Sequence, residues 1–287
     1  MPGRDLQLVE ISEQITKIAR QTGDFIRQQS RSFTREQIEY KGYNNLVSYV
    51  DKEAEKQLVE ALHNLLPEVG FITEEGTTGQ IADRSALNWI IDPLDGTANF
   101  MHKLPVFSVS IGLAEGKTPI AGVVYDIMRD ECFHASAGGG AWCTGSSGTA
   151  ERIRVSPATQ LQESMVATGF PYASMDRIER YLAILASLML RTHGLRRMGS
   201  AAIDLSYVAC GRFEAYYEFN LNCWDMAAGV LLVREAGGIV TDFNGGDDFL
   251  FRGDILAGCG MQPELLAIIE QYWNNEGPLP IPPPVIS

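Results

Sequence analysis

The run Trp89-Ile90-Ile91-Asp92-Pro93-Leu94-Asp95-Gly96-Thr97-Ala98-Asn99-Phe100 constrains this chain more than any other. Trp89 to Ile91 is a short apolar segment of the kind that forms a fully buried strand. A turn built from Pro93 and Gly96 is expected to break it, with a carboxylate on either side of Pro93-Leu94. Two acids so close together at the end of a buried strand carry charge that an apolar interior does not tolerate alone. A divalent cation is a natural compensation, because carboxylates and main-chain carbonyls are the ligands Mg²⁺ prefers. Gly96 lets the backbone approach closely, and the amides of Gly96 and Thr97 can receive a phosphate if a helix starts there. The bland alternative is a strand and turn whose two solvated aspartates cap the next element.

Periodicity places the neighbours of this run. Leu8, Ile11, Ile15, Ile18, Phe25 and Ile26 fall at helical spacing and predict an amphipathic N-terminal helix. Lys41-Gly42 reads as a turn and Leu46 to Val50 as a strand. Asp51 then opens a second amphipathic helix as its N-cap, ended by Pro67. Phe71 to Thr73 is a short strand running into Glu74-Glu75, adjacent acids that on their own read as solvated loop. Val106–Ala114, Ile120–Ile127 and Cys132–Ala135 predict neighbouring antiparallel strands. Gly138-Gly-Gly140 and Gly145-Ser-Ser-Gly148 read as loops, without the Gly-Lys-Ser/Thr ending of a nucleotide-binding loop.

Ser156-Pro157 is the expected seam between an α+β N-terminal domain, 1–155, and an α/β C-terminal domain, 156–287. Beyond it strands and helices alternate. Strands are expected at Met165–Thr168, Gly194–Met198, Phe213–Glu218, Ile239–Asp242 and Ile255–Cys259. Helices are expected at Met175–Leu190, Ala201–Cys210, Trp224–Ala236 and Pro263–Trp273. Gly237-Gly238 supply a helix C-cap, Asp225 sits where a helix begins, and Pro278–Pro284 reads as an extended arm.

Composition excludes several classes. The formal net charge of −13 argues against a nucleic-acid or anionic-membrane partner. No apolar run reaches the length of a membrane span, and no signal-peptide pattern opens the chain. The cysteines Cys132, Cys143, Cys210, Cys223 and Cys259 are odd in number and lack zinc-type spacing. They read as reduced and mostly buried, consistent with a cytoplasmic setting. The four histidines form no ligand pattern.

The string Asp92-Pro-Leu-Asp-Gly-Thr97-Ala-Asn99-Phe100 resembles the first signature of the inositol monophosphatase family of Mg²⁺-dependent phosphatases. Trp224-Asp225-Met-Ala-Ala-Gly229, running into Glu235-Ala-Gly-Gly238, resembles the second, and Phe71-Ile-Thr-Glu74-Glu75-Gly76 the acidic segment before the first. The resemblance implies an α/β fold of layered α-β-α-β-α type, with the site between the two halves. It implies two to three Mg²⁺ ions: Asp92 bridges two of them, Glu74 and the Leu94 carbonyl hold one, and Asp95 and Asp225 hold the other. Thr97 with Asp51 would activate the attacking water, without a covalent phospho-enzyme.

The same resemblance assigns Glu218 to a substrate hydroxyl, Gly96, Thr97, Ser200 and Ala201 to the substrate-lining loops, and Lys41 to the phosphate. Asn222 stands where animal members carry histidine, while Gly169-Phe-Pro-Tyr172 and Arg196-Arg197 are more similar to bacterial members. Homodimerisation and lithium inhibition follow from the family alone. The implied substrate is inositol monophosphate or a similar polyol phosphate. The alternatives are fructose 1,6-bisphosphate, NADP or histidinol phosphate, or an added transcription-associated binding role. The Asp-x-Asp-Gly-Thr nucleophile of haloacid-dehalogenase phosphatases is a poorer match, because Asp92 and Asp95 are three residues apart and far from the chain start.

Overall fold

Side chains along a strand alternate between its two faces, so a strand buried on both sides must find a separate core for each. A computed structural model of the chain describes residues 2–34, 36, 38–42, 45–79, 82–170, 172 and 176–275. The N-terminal half begins with α1 (Pro2–Ser32), the hairpin β1 (Ile38–Gly42) and β2 (Asn45–Ser48), and α2 (Tyr49–Leu65). There follow β3 (Gly70–Thr73), β4 (Leu87–Asp95), the short α3 (Thr97–Met101), β5 (Ser108–Glu115), β6 (Thr118–Asp126), β7 (Glu131–Ser136), β8 (Gly140–Thr144) and β9 (Ala150–Arg152). Next come β10 (Met165–Thr168), α4 (Ile178–Met189), β11 (Gly194–Arg196), α5 (Ala201–Ala209), β12 (Ala215–Glu218) and α6 (Cys223–Glu235). The last elements are β13 (Ile239–Thr241), α7 (Phe249–Arg252), β14 (Ile255–Gly258) and α8 (Gln262–Trp273).

Strands β3 to β9 form a seven-stranded sheet in chain order, in which β3 runs parallel to β4 and the remaining pairs are antiparallel. A second, mixed sheet has the order β11-β10-β12-β14-β13. In β4, Trp89 and Ile91 pack with Ile15, Ala54 and Leu58 of α1 and α2. Ile90, between them, packs instead with Ile203, Ala227 and Val230 of α5 and α6. Those two helices also bury Ala167, Tyr216 and Ala257 of the second sheet. The far face of that sheet, through Val166, Tyr217 and Leu256, is covered by Tyr181 and Ile184 of α4 and Ile269 of α8. The layers are therefore α-β-α-β-α, as the resemblance implies.

Several local expectations are corrected. Lys41 and Gly42 belong to β1 rather than to a turn, because pairing with β2 continues to Gly42 opposite Asn45. The next strand stops at Ser48 instead of Val50, since Ser48 caps α2. Its hydroxyl accepts from the Val50 amide at 3.1 Å, and Asp51 accepts the Ser48 amide at 2.8 Å. Asp51 is thus the third helical residue and not the cap, closing a reciprocal capping box. Gly140 opens β8 rather than lying in a loop, and 145–148 is the turn into β9. Residue 175 and the stretch 278–284 lie outside the described residues. All five cysteines are free.

Helix α6 lies almost directly on the large sheet. Gly112 and Gly122 are opposite each other on β5 and β6. A Cβ on Gly112 would sit 2.9 Å from the Ala227 Cβ, and one on Gly122 would sit 3.0 Å from the Ala228 Cα. Glycine and alanine at this contact let the helix and sheet backbones approach, and that approach sets the depth at which α6 begins. Gly122→Val overpacks the contact, and a stability loss of about 1–3 kcal/mol is expected in urea denaturation. An unchanged midpoint would show that the layer is loose.

Candidate active site

The C-terminal end of β4 departs from regular pairing at the point where its acids lie. Asp92 is opposite Ser110 and Asp95 is opposite Ser108, so three steps on β4 match two on β5. This bulge adds one residue and offsets the alternation, which is why acids three apart serve one site. The Leu94 amide donates to Asp92 Oδ1 at 2.9 Å, holding the bulge closed. Gly96 follows with φ of 94°, and a Cβ there would meet the Val106 carbonyl at 2.9 Å. Its positive φ turns the chain into α3, whose first residue is Thr97.

Thr97 Oγ1 lies 3.0 Å from Asp51 Oδ1 and 3.0 Å from the Leu94 carbonyl oxygen, its two acceptors. Asp51 is buried, and its other oxygen accepts from the amide and hydroxyl of Ser48. Glu74 follows β3. Its amide donates to the Ile91 carbonyl at 3.3 Å, and its carboxylate lies close enough to Asp92 to raise that residue's proton affinity. Asp95 Oδ2 accepts from Ser200 Oγ at 2.5 Å and from the Ala202 amide at 2.8 Å. Asp225, the third residue of α6, accepts the Asn222 amide at 2.7 Å through Oδ2. Asn222, the departure from animal sequences, is the N-cap of α6.

Asp92, Asp95 and Asp225 each offer a carboxylate oxygen within 4.8 Å of the others. Burial pushes the Asp92 carboxyl well above the usual carboxylate range, and Glu74, Asp95 and Asp225 push it further. Asp225 is likewise raised well above its ordinary value by burial and by Asp95. Burial also raises Asp95, although the bonds from Ser200 and the Ala202 amide and the charge of Arg197 work against it. A set of converging acids that the protein does not itself neutralise, all with oxygen donors, fits a hard divalent cation. These residues, with Glu74 and the Leu94 carbonyl, could hold one.

Beside the acids lies a cavity of about 130 Å³ lined by Arg197, Ser200, Ala201, Asp204, Glu218 and Leu221, among others. Burial pushes Glu218 up to about 7, against the bond it accepts from Tyr216 Oη at 2.6 Å. Asp204 was not anticipated. It is buried, and its Oδ1 has no hydrogen-bond partner among the described residues. The signal was one acid within the apolar run of α5, a pattern that also suits a capped helix start. Arg197 lies over the rings of Phe170 and Tyr172, 6.0 and 5.6 Å from their centroids, and its charge favours the ionised forms of Asp95, Asp204 and Glu218. Asp51, Thr97, Glu74, Asp92, Leu94, Asp95, Gly96, Ser200, Ala201, Glu218 and Asp225 thus gather around one end of β4. The side chain of Lys41 lies outside what the structure describes.

A model of the inositol monophosphatase family matches residues 7–274. The chain belongs to this family. Phosphatase activity and a requirement for metal accompany membership. The chain is 42% identical over 243 residues to the Nus factor SuhB of Escherichia coli, covering 84% of this chain and 88% of that one. It is 40% identical over 222 residues to an inositol-1-monophosphatase of Mesorhizobium japonicum, covering 77% and 81%. Its structure superimposes on extragenic suppressor protein suhB from Bartonella henselae with a TM-score of 0.83 at 36% identity, covering 91% of this chain and 99% of the other. No helix among the described residues is long and apolar enough to cross a membrane.

The raised acids fix a pH dependence. Asp92, Asp95, Asp225 and Glu218 hold their protons more tightly folded than unfolded, so they destabilise the metal-free fold when ionised. Stability in chelator is expected to rise as pH falls from about 8 through the raised values towards about 4, where unfolded carboxylates also take up protons. Thermal melts across that range check this, and Asp225→Asn should flatten the profile. A profile equally steep in the variant would assign the effect to other groups.

Proposed function

We propose that this protein is a Mg²⁺-dependent phosphomonoesterase that hydrolyses inositol monophosphate, or a similar polyol phosphate, to the alcohol and inorganic phosphate. The observation that carries the reading is the Thr97–Asp51 hydrogen bond beside the converging acids. In this reading Glu74, Asp92 and the Leu94 carbonyl would hold one ion and Asp92, Asp95 and Asp225 another, with Glu74 also serving a third, weaker ion. When bound, the ions neutralise the phosphoryl oxygens and stabilise the leaving alkoxide.

The chain's own groups do the rest. Thr97 Oγ1 orients a water molecule by accepting its proton while passing its own to Asp51 Oδ1. Burial raises the Asp51 carboxyl above the usual range, making it a stronger base than an exposed aspartate. The amides of Gly96 and Thr97 receive phosphate oxygens at the start of α3, with Lys41 taken from the family pattern. Ser200 holds Asp95 in place, Ala201 lines the substrate, and Glu218 accepts a hydroxyl of the alcohol. Residues 1–155 supply Glu74, Asp92 and Asp95, and 156–287 supply Ser200, Glu218 and Asp225, which supports dividing the chain there. A cytoplasmic homodimer sensitive to lithium completes the reading.

A second reading rests on the Nus factor name of the bacterial relatives: the chain has a transcription-associated binding role in addition to catalysis. Asp92→Asn separates the two, because catalysis is lost while a binding role persists.

Phosphate release from inositol 1-phosphate, fructose 1,6-bisphosphate, NADP and histidinol phosphate, with Mg²⁺ titrated, tests the proposal. Release should require Mg²⁺ and be fastest with inositol 1-phosphate. Thr97→Ala should lower kcat by about 10²–10⁴-fold, the usual contribution of a positioned general base, with Mg²⁺ affinity retained in calorimetry. No release by the metal-loaded enzyme overturns the reading, and a faster rival replaces the substrate.

A further inference from the structure

Helix α2 has an apolar face that includes Val50, Ala54, Leu58 and Leu62, all fully buried. The same buried face carries two acids one turn apart, Asp51 and Glu55. Asp51 is accounted for by Ser48 and Thr97. Glu55 has no exposed surface at all, and a carboxylate in that position is costly unless it is fully hydrogen-bonded. Its partners lie in a single segment. Oε1 accepts from Thr73 Oγ1 at 3.0 Å, the Thr77 amide at 2.8 Å and Thr77 Oγ1 at 2.7 Å. Oε2 accepts the Glu75 amide at 2.7 Å. Every donor is an uncharged N–H or O–H group, the arrangement suited to an ionised carboxylate. The segment they form, 73–77, contains Glu74, and both of its sequence neighbours are tied to Glu55.

We propose that Glu55 is a positioning residue that aims Glu74 at Asp92 by holding the Thr73 hydroxyl on one side of it and the Glu75 and Thr77 amides on the other. The proposal rests on the reading of Glu74 as a metal ligand. The clamp and the Asp51–Thr97 pair sit on successive turns of α2, so one rigid helix sets the distance between the water-orienting pair and an acid of the metal cluster.

Glu55→Gln tests this. It keeps the size of the side chain but turns one acceptor into a donor, so the new NH₂ opposes either the Glu75 amide or the Thr73 and Thr77 donors. Mg²⁺ affinity, measured by calorimetry, is expected to fall about 10–100-fold, the usual effect of losing a group that orients a metal ligand. The Mg²⁺ concentration for half-maximal phosphate release should rise to match, with kcat at saturating Mg²⁺ much less affected. Amide exchange at Glu75 and Thr77 should quicken.

Thr77→Val, which removes one hydroxyl donor and leaves the carboxylate, should move Mg²⁺ affinity in the same direction by less. It decides the matter if the glutamine variant fails to fold. Mg²⁺ affinity within about twofold of the parent protein, with faster exchange in the loop, would overturn the proposal and leave Glu55 a loop anchor. Failure of the parent protein to bind Mg²⁺ would overturn the functional reading itself, a result distinct from equal binding by parent and variant.

Discussion

Mutual repulsion among buried and half-buried carboxylates is the constraint on which this architecture depends. Glu74, Asp92, Asp95 and Asp225 come from three separate stretches and meet at the end of one strand. In water they would stay apart, and in an apolar interior they raise the proton affinity of Asp92 and Asp225. The fold holds them by spreading the work. A bulge in β4 turns Asp92 and Asp95 to one side, and the first turns of α5 and α6 bring donors and a further acid. Helices α2, α5 and α6 all begin at the site, where unpaired amides and the positive end of the helix dipole favour negative charge.

Much of this was legible in the sequence, and the reasons differ by element. Trp89 to Ile91 announced a doubly buried strand because no polar residue interrupts it. Helical and alternating spacing on either side of that strand marked the elements, while their stacking into layers was implied by the family resemblance alone. The bulge was not legible: Pro93 and Gly96 signalled a break, while the pairing of β5 carried the ladder to Asp95. Asp51 read as a cap because the strand was carried past Ser48 to Val50, and capping boxes are told from simple caps only by which amide bonds back. Glu55 escaped attention for a related reason. Between Ala54 and Lys56 it looks like any charge beside an apolar stripe, and its donors are recruited from a loop about twenty residues onward. Asp204 likewise sits in a helical run whose burial comes from two sheets and not from its own pattern.

Core and site are joined physically as well as in sequence. Gly112 and Gly122 let α6 rest against the large sheet, while α5 packs beside it under the second sheet. Asp225, Asn222 and Ser200 lie at the ends of those central helices. Asp225, one of the converging acids, is therefore carried on a layer packed on both faces, where a shift of one side chain is resisted.

The capping boxes have one more consequence. Asp51 and Asp225 each give one oxygen to the amide that opens their helix and turn the other toward the site. An asparagine in either place has a single carbonyl oxygen. If that oxygen keeps the cap, the site receives an NH₂ group, and an acceptor has become a donor without any change in shape. The isosteric amide thus acts as an inversion of local polarity on an intact scaffold. Alanine differs in kind, because it loosens the helix entry and removes the acid in one stroke.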